Sequence, residues 1–138
     1  KDLGNTEHIL GIRIRRDRQK KLLFVSQEKY IEKVLERFQM TGAKPSSITR
    51  KASKSHNPKD KEETEKMQAI PYASACGSLM YAMVSTRPNI AHAVVVTRFM
   101  GNFGQCHWAA VKSILRYLKG TKEKCICYGK GDLTSWLL

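Results

Sequence analysis

The sequence lacks the long apolar runs that membrane proteins need. No stretch approaches the roughly 18 consecutive apolar residues of a membrane span, and no apolar segment typical of a signal peptide is present. We therefore expect no membrane contact and a cytoplasmic or nuclear location. The alternative is secretion, if a signal peptide preceded Lys1.

Patterns of metal ligands and of catalytic residues are equally scarce. Cys125 and Cys127 are separated by one residue rather than two, and no second Cys or His pair lies at zinc-finger spacing. The four histidines are scattered, and no Gly-x-Ser-x-Gly elbow occurs. The sequence therefore predicts no catalytic residue, no metal site, no cofactor and no small-molecule substrate.

Acidic residues are too few to balance the basic ones. Lys and Arg number 25 against 12 Asp and Glu, which gives a net charge of +13. Six of the basic residues lie between Arg13 and Lys21, where Asp17 is the one acid. Such an excess favours a polyanionic partner, most often nucleic acid, because each neutralised phosphate releases counterions. From charge alone, a basic surface that only keeps the protein soluble is the alternative.

The apolar pattern predicts an α+β fold that begins with a β-hairpin and a helix. In the first strand, apolar residues alternate with others, which gives one buried face and one face that carries arginines. The alternating residues are Leu10, Gly11, Ile12, Arg13, Ile14 and Arg15. A turn is predicted over residues 16–20 and a return strand over 22–25. The helix that follows has Ser26 as its N-cap and ends before Gly42.

The second half of the chain predicts a core of three helices. Residues 43–66 are polar and predict a flexible linker, apart from a short helical lead near its end. Residues 71–120 show three successive amphipathic patterns, broken near Pro88 and Gly104, and residues 124–128 predict a short strand. The residues expected in the core are Leu79, Met83, Val94, Phe99, Trp108, Leu115 and Leu118.

Several blocks in this half resemble, in order, the reverse transcriptase region of copia-type retrotransposon polyproteins. They cover residues 71–82, 86–91 and 115–121 and include Tyr72, Thr86-Arg87-Pro88, His107-Trp108 and Leu115-Arg116-Tyr117-Leu118. The resemblance extends over nearly the whole chain. Two departures stand out: Asn89 replaces a usual aspartate, and one residue is missing between Ala93 and Arg98.

The resemblance implies a place within such a polymerase. Residues 1–42 would be the end of the palm and a thumb helix, and residues 43–66 a linker. Residues 67–138 would be the helical connection, truncated before ribonuclease H. The carboxylates of both active sites would then lie outside the chain. We expect a non-catalytic fragment of an RNA-directed DNA polymerase that binds duplex or RNA–DNA hybrid weakly and without sequence preference, with the remainder of the polymerase as a partner.

The hairpin is the predicted nucleic-acid-binding site. The resemblance implies that Gly11 allows close approach of a nucleic-acid backbone, and the basic residues are expected to hold phosphates. These basic residues are Arg13, Arg15, Arg16, Arg18, Lys20 and Lys21. The alternative is a bulge at Gly11 beside solvated arginines.

A function of a different class is a short secreted effector or interaction protein of retrotransposon origin, of the Arg-x-Leu-Arg type. The sequence has no such tetrapeptide, only Arg116-Tyr117-Leu118-Lys119. Because this tetrapeptide lies inside a predicted helix, it argues against a translocation signal.

Overall fold

Strands from the N-terminal and C-terminal parts of the chain pair in one antiparallel sheet. The structure is a computed structural model that describes residues 7–47, 58–99 and 101–129. At residues 96, 97 and 99 it describes the backbone alone. The strands, in sheet order, are β1 (His8–Ile9), β2 (Ile12–Asp17), β3 (Leu22–Ser26) and β4 (Cys125–Tyr128). The helices are α1 (Glu28–Arg37), α2 (Lys61–Gln68), α3 (Tyr72–Ser85) and α4 (Gln105–Gly120). The predicted α+β class is confirmed.

A two-residue turn separates β1 from β2, where one continuous strand was predicted. Leu10 and Gly11 both have positive φ, 50° and 79°, between the paired residues Ile9 and Ile12. Two positive φ angles characterise the hairpin turn whose twist matches that of the strands. The Tyr81 hydroxyl donates a hydrogen bond of 2.6 Å to the Leu10 carbonyl. The prediction that Leu10 lies in a strand with its side chain buried is wrong, since it is 80% exposed.

The second turn also lies later than predicted. Strand β2 continues to Asp17, which pairs with Leu22, so the turn covers residues 18–21 rather than 16–20. The Asp17 carboxylate accepts the Lys20 backbone N–H at 3.0 Å, a local bond that aspartate commonly makes in turns.

Helix α1 begins one residue later and ends earlier than the sequence predicts. Ser26 pairs with Arg13 in the sheet, so the N-cap position belongs to Gln27. Beyond Arg37, Gln39 has a φ of 55°, and the Met40 N–H donates to the Leu35 carbonyl at 2.7 Å. A left-handed residue with this bond closes a helix, so α1 ends before Gly42 is reached.

The apolar core lies between α1, α3, α4 and two 3-10 segments. Among the predicted core residues, Leu79, Val94, Leu115 and Leu118 are buried, and Met83 and Trp108 are partly buried and pack against them. The side chain of Phe99 lies outside the described residues. Met80, the neighbour of Leu79 on α3, is 43% exposed.

The second of the three predicted helices is not an α-helix. It forms two 3-10 segments, Pro88–Ile90 and Ala93–Phe99. A 3-10 helix rises about 2.0 Å per residue against about 1.5 Å for an α-helix. Fewer residues therefore span a given distance in these segments than in an α-helix.

A buried arginine ties the end of α3 to the end of α4. The Arg87 guanidinium donates to the Thr121 carbonyl, to Thr121 Oγ1 at 3.2 Å and to the Lys124 carbonyl at 3.4 Å. Because these acceptors lie at the C-terminal end of α4, the helix dipole favours a cation there. Burial lowers the pKa of Arg87. This contact fixes the approach to β4, which pairs with β3 from Leu23 to Ser26.

Candidate nucleic-acid interface

The pleat of the sheet separates the predicted binding residues. By the register, Ile14, Val25 and Ile126 lie side by side on one face, and Ile126 is buried. Side chains alternate along a strand, so Arg13 and Arg15 lie on the opposite face, together with Phe24 and Cys127. We call this second face the open face, because none of these four side chains is buried.

Arg16 lies in β2 rather than in the predicted turn over residues 16–20. Alternation places it on the face of Ile14 rather than on the open face, since β2 continues through it to Asp17. It lies opposite Leu23 near the end of the hairpin and is exposed. The remaining cations, Arg18, Lys20 and Lys21, lie in the turn itself.

Arg15 is held over an aromatic ring. Its Cζ lies 4.4 Å from the centroid of the Phe24 ring, directly across the β2–β3 pair. This cation–π contact restrains the guanidinium without using its hydrogen-bond donors. The sequence reasoning missed Phe24. The signal that identifies it is the strand register, which depends on where the turn lies.

An open groove of about 1090 Å³ brings most of these residues together. Five of the six predicted cations line it, namely Arg13, Arg15, Arg16, Arg18 and Lys20. Three apolar residues line it as well, namely Ile14, Leu22 and Phe24. The sixth cation, Lys21, lines a smaller groove of about 400 Å³ that shares Arg16 and Arg18 with the first.

Within the described part of the chain, no carboxylate forms an ion pair with the hairpin cations, although Glu7 and Asp17 line the same groove. Ion pairs there join Lys66 to Glu62 at 2.7 Å and Lys122 to Glu32 at 3.0 Å, and neither pair involves the hairpin. Asp17 uses its carboxylate for the Lys20 backbone N–H. The hairpin cations therefore keep their side-chain donors available for an external anion.

Gly11 has a local structural role that is independent of nucleic acid. Its φ of 79° is one that side chains rarely adopt, and an added Cβ would lie 3.3 Å from the Cβ of Tyr30. The turn and the contact with α1 thus account for this glycine. Gly11 lines a separate pocket of about 200 Å³, which shares Arg13 with the larger groove. Its role towards a nucleic-acid backbone stays a prediction.

Other kinds of site are sparse in the described residues. They contain no group of three or more His, Cys, Asp or Glu side chains placed to hold a metal ion. Their cysteines are free thiols, and none of their helices is both long and apolar enough to cross a membrane. His107 acts at the start of α4, where its Nδ1 accepts the Gly104 N–H at 2.8 Å.

Sequence comparison finds similar proteins among plant transposons. The chain is 56% identical over 137 residues, 96% of its length, to the Retrovirus-related Pol polyprotein from transposon TNT 1-94 of Nicotiana tabacum, and covers 10% of that protein. It is 35% identical over 136 residues to the Retrovirus-related Pol polyprotein from transposon RE1 of Arabidopsis thaliana, of which it covers 9%. The chain thus spans about a tenth of these polyproteins. That its homologues are retrotransposon Pol polyproteins confirms the broader part of the resemblance.

A shorter similarity concerns a protein of a different class. Over 57 residues, 41% of this chain, the sequence is 47% identical to Secreted RxLR effector protein 161 of Plasmopara viticola, and it covers 40% of that protein. No family model and no solved structure matches the chain.

Proposed function

We propose that the chain is a non-catalytic fragment of a retrotransposon reverse transcriptase, an RNA-directed DNA polymerase, whose β2–β3 hairpin binds nucleic-acid phosphates. Similarity to retrovirus-related Pol polyproteins over almost the whole chain supports the origin. One observation carries the binding role. Six cations within residues 13–21 form no ion pair with any described carboxylate, and five of them line one open groove.

The chemistry of these side chains is well suited to phosphate groups. Arginine presents a planar fork of donors that matches phosphate oxygens, and lysine adds a mobile point charge. Contacts to phosphates position a protein but carry no base information. Binding through this hairpin is therefore weak, steeply dependent on salt and largely independent of sequence.

Within the polymerase, we assign the hairpin to the end of the palm and α1 to the thumb. The segment after α2 then corresponds to the connection towards ribonuclease H. In this arrangement the partners are duplex nucleic acid or RNA–DNA hybrid, together with the remainder of the polymerase. We assign no catalytic residue to the chain and place its action in the cytoplasm or nucleus.

Two double variants of equal charge test the binding role. Arg16→Gln with Arg18→Gln removes two hairpin cations, and Arg37→Gln with Arg98→Gln removes two exposed arginines elsewhere. Fluorescence anisotropy at several salt concentrations gives the slope of log K against log salt for a labelled duplex and an RNA–DNA hybrid. Each phosphate engaged contributes about −0.9, so the hairpin variant is expected to have a slope shallower by about 2.

The control variant is expected to keep the slope of the parent chain. The proposal fails if the hairpin variant keeps that slope, or if the control variant loses as much as the hairpin variant does.

The similarity to the secreted effector supports a second candidate, an effector or interaction protein of retrotransposon origin. Arg116-Tyr117-Leu118-Lys119 lies within α4, and Leu118 is buried there, so this tetrapeptide is not accessible as a signal. The reading frame upstream of Lys1 in genomic DNA separates the two candidates. A Tyr-x-Asp-Asp motif, which supplies active-site carboxylates in such polymerases, would support the polymerase. A signal peptide would support the effector.

A further inference from the structure

The open face combines charge with apolar surface, which phosphate binding alone does not require. On this face Leu22 and Phe24 line the groove along the hairpin together with cations. A site that held only phosphates would gain nothing from leaving an aromatic ring partly exposed to water, because exposed apolar surface has an unfavourable hydration free energy.

We infer that the Arg15–Phe24 pair is a stacking platform for an unpaired nucleobase, so that the hairpin prefers single-stranded nucleic acid to a bare phosphate chain. This inference rests on the proposed phosphate binding and adds that the same groove binds an unpaired base. The guanidinium lies over one face of the ring at 4.4 Å, and Arg15 is itself exposed. A base can therefore stack on the outer plane of the guanidinium, as unpaired bases do on arginine planes and aromatic rings.

The fold presents this pair in a suitable way. The sheet has four antiparallel strands, and Arg15 and Phe24 lie on the face opposite the buried Ile126, where Arg15 is exposed and Phe24 is partly exposed. Unpaired bases commonly stack on aromatic side chains of the exposed face of such a sheet. Arg13 lies two residues from Arg15 on the same face, within reach of the phosphate attached to a stacked base.

The test compares two ligands that carry the same phosphates. One is a short single-stranded oligothymidylate, and the other is an abasic deoxyribose-phosphate chain of equal length. The parent chain is expected to bind the oligothymidylate about 5-fold or more tightly than the abasic chain, since one stacked base contributes that much or more. Both ligands are expected to show the same salt slope, because they engage the same phosphates.

Two aromatic substitutions assign the effect to Phe24. Phe24→Leu keeps an apolar side chain on the open face but removes the ring, and it is expected to abolish the preference while leaving the salt slope intact. Tyr128→Leu is the matched control, because Tyr128 is 49% exposed on the same sheet but shares the opposite face with Leu23. Tyr128→Leu is expected to keep both the preference and the slope.

The outcomes separate this inference from the proposed function. Equal binding of both ligands by the parent chain, with a steep salt slope, overturns the stacking platform and leaves phosphate binding in place. Absence of binding to either ligand at low salt overturns both. If Phe24→Leu still binds the oligothymidylate more tightly than the abasic chain, the assignment of stacking to this ring is overturned. The comparison of the two ligands uses the parent chain alone, so this part of the test does not depend on whether a variant folds.

Discussion

A positively charged side chain is buried and hydrogen-bonded in the helical core, whereas those of the hairpin are exposed and form no ion pair with a described carboxylate. In the core, Arg87 is fully buried, and its guanidinium bonds to Thr121 and to the Lys124 carbonyl. In the hairpin, six cations lie within nine residues of sequence and pair with no described carboxylate. A cation with fixed internal partners stabilises the fold, whereas exposed cations without partners remain available to a ligand. Substitutions in the two regions should therefore affect different measurements.

Truncation of a core leucine is expected to lower stability more than any other substitution considered. Leu115 is fully buried between α1, α3 and α4, so Leu115→Ala should lower the free energy of unfolding by about 2–5 kcal/mol. Urea denaturation measures this change. Val84→Ala is the control, because Val84 is 78% exposed on α3 and its truncation should cost less than about 0.5 kcal/mol. Equal losses in the two variants would contradict the core described above.

Removal of the buried cation should have the next largest effect. Arg87→Met keeps the apolar stem but removes the Arg87 donor from the Lys124 carbonyl and from the Thr121 carbonyl, which retains only the Lys124 backbone N–H, so the change should cost about 1–3 kcal/mol. The same urea series measures it, with Arg37→Met as an exposed control that should change stability by less than about 0.5 kcal/mol. If Arg87→Met is as stable as the parent chain, the bonds of Arg87 do not hold the end of α4.

A substitution in the turn between β1 and β2 is expected to increase stability by a smaller amount. Leu10 has a φ of 50° with its side chain in solvent, and a left-handed conformation costs most side chains about 1–2 kcal/mol. Asparagine tolerates that conformation, so Leu10→Asn should raise the midpoint of thermal unfolding. Ile9→Asn, one residue earlier in β1, should lower it. A lower midpoint for Leu10→Asn would show that the turn is not the positive-φ hairpin turn.

The smallest expected effect on stability is that of the hairpin cations. Arg16→Gln with Arg18→Gln removes no buried contact and no ion pair with a described residue. The free energy of unfolding should therefore change by less than about 0.5 kcal/mol, although binding to nucleic acid weakens. A large loss of stability in this variant would mean that these arginines serve the fold, and the comparison between the two regions would no longer hold.

The sequence predicts those parts of the fold that depend on local pattern. Helices α3 and α4 follow from their apolar spacing, and β2 and β3 follow from alternation with a turn near Asp17. The pairing of β4 with β3 joins residues about 100 positions apart in sequence, which a local pattern does not encode. The 3-10 segments were also missed, because periods of 3.0 and 3.6 residues differ little over so short a stretch.

The candidate site was predicted in composition but not in geometry. The row of cations is visible in the sequence, whereas the contact between Arg15 and Phe24 depends on the register of two strands. A turn over residues 16–20 would place Phe24 opposite Ile12, away from Arg15. Because a strand register sets which side chains share a face, a turn misplaced by two residues was enough to hide the stacking pair.

The central claim is that the β2–β3 hairpin binds nucleic acid, and a map of the bound surface tests it most directly. Duplex or single-stranded nucleic acid is titrated into the isotopically labelled chain, and the backbone amide chemical shifts are followed by nuclear magnetic resonance. The largest shifts are predicted at residues 13–21 and at Phe24 across the sheet. Largest shifts at residues 58–61 or around the exposed Lys112 of α4, with the hairpin unchanged, would contradict the assignment of binding to the hairpin.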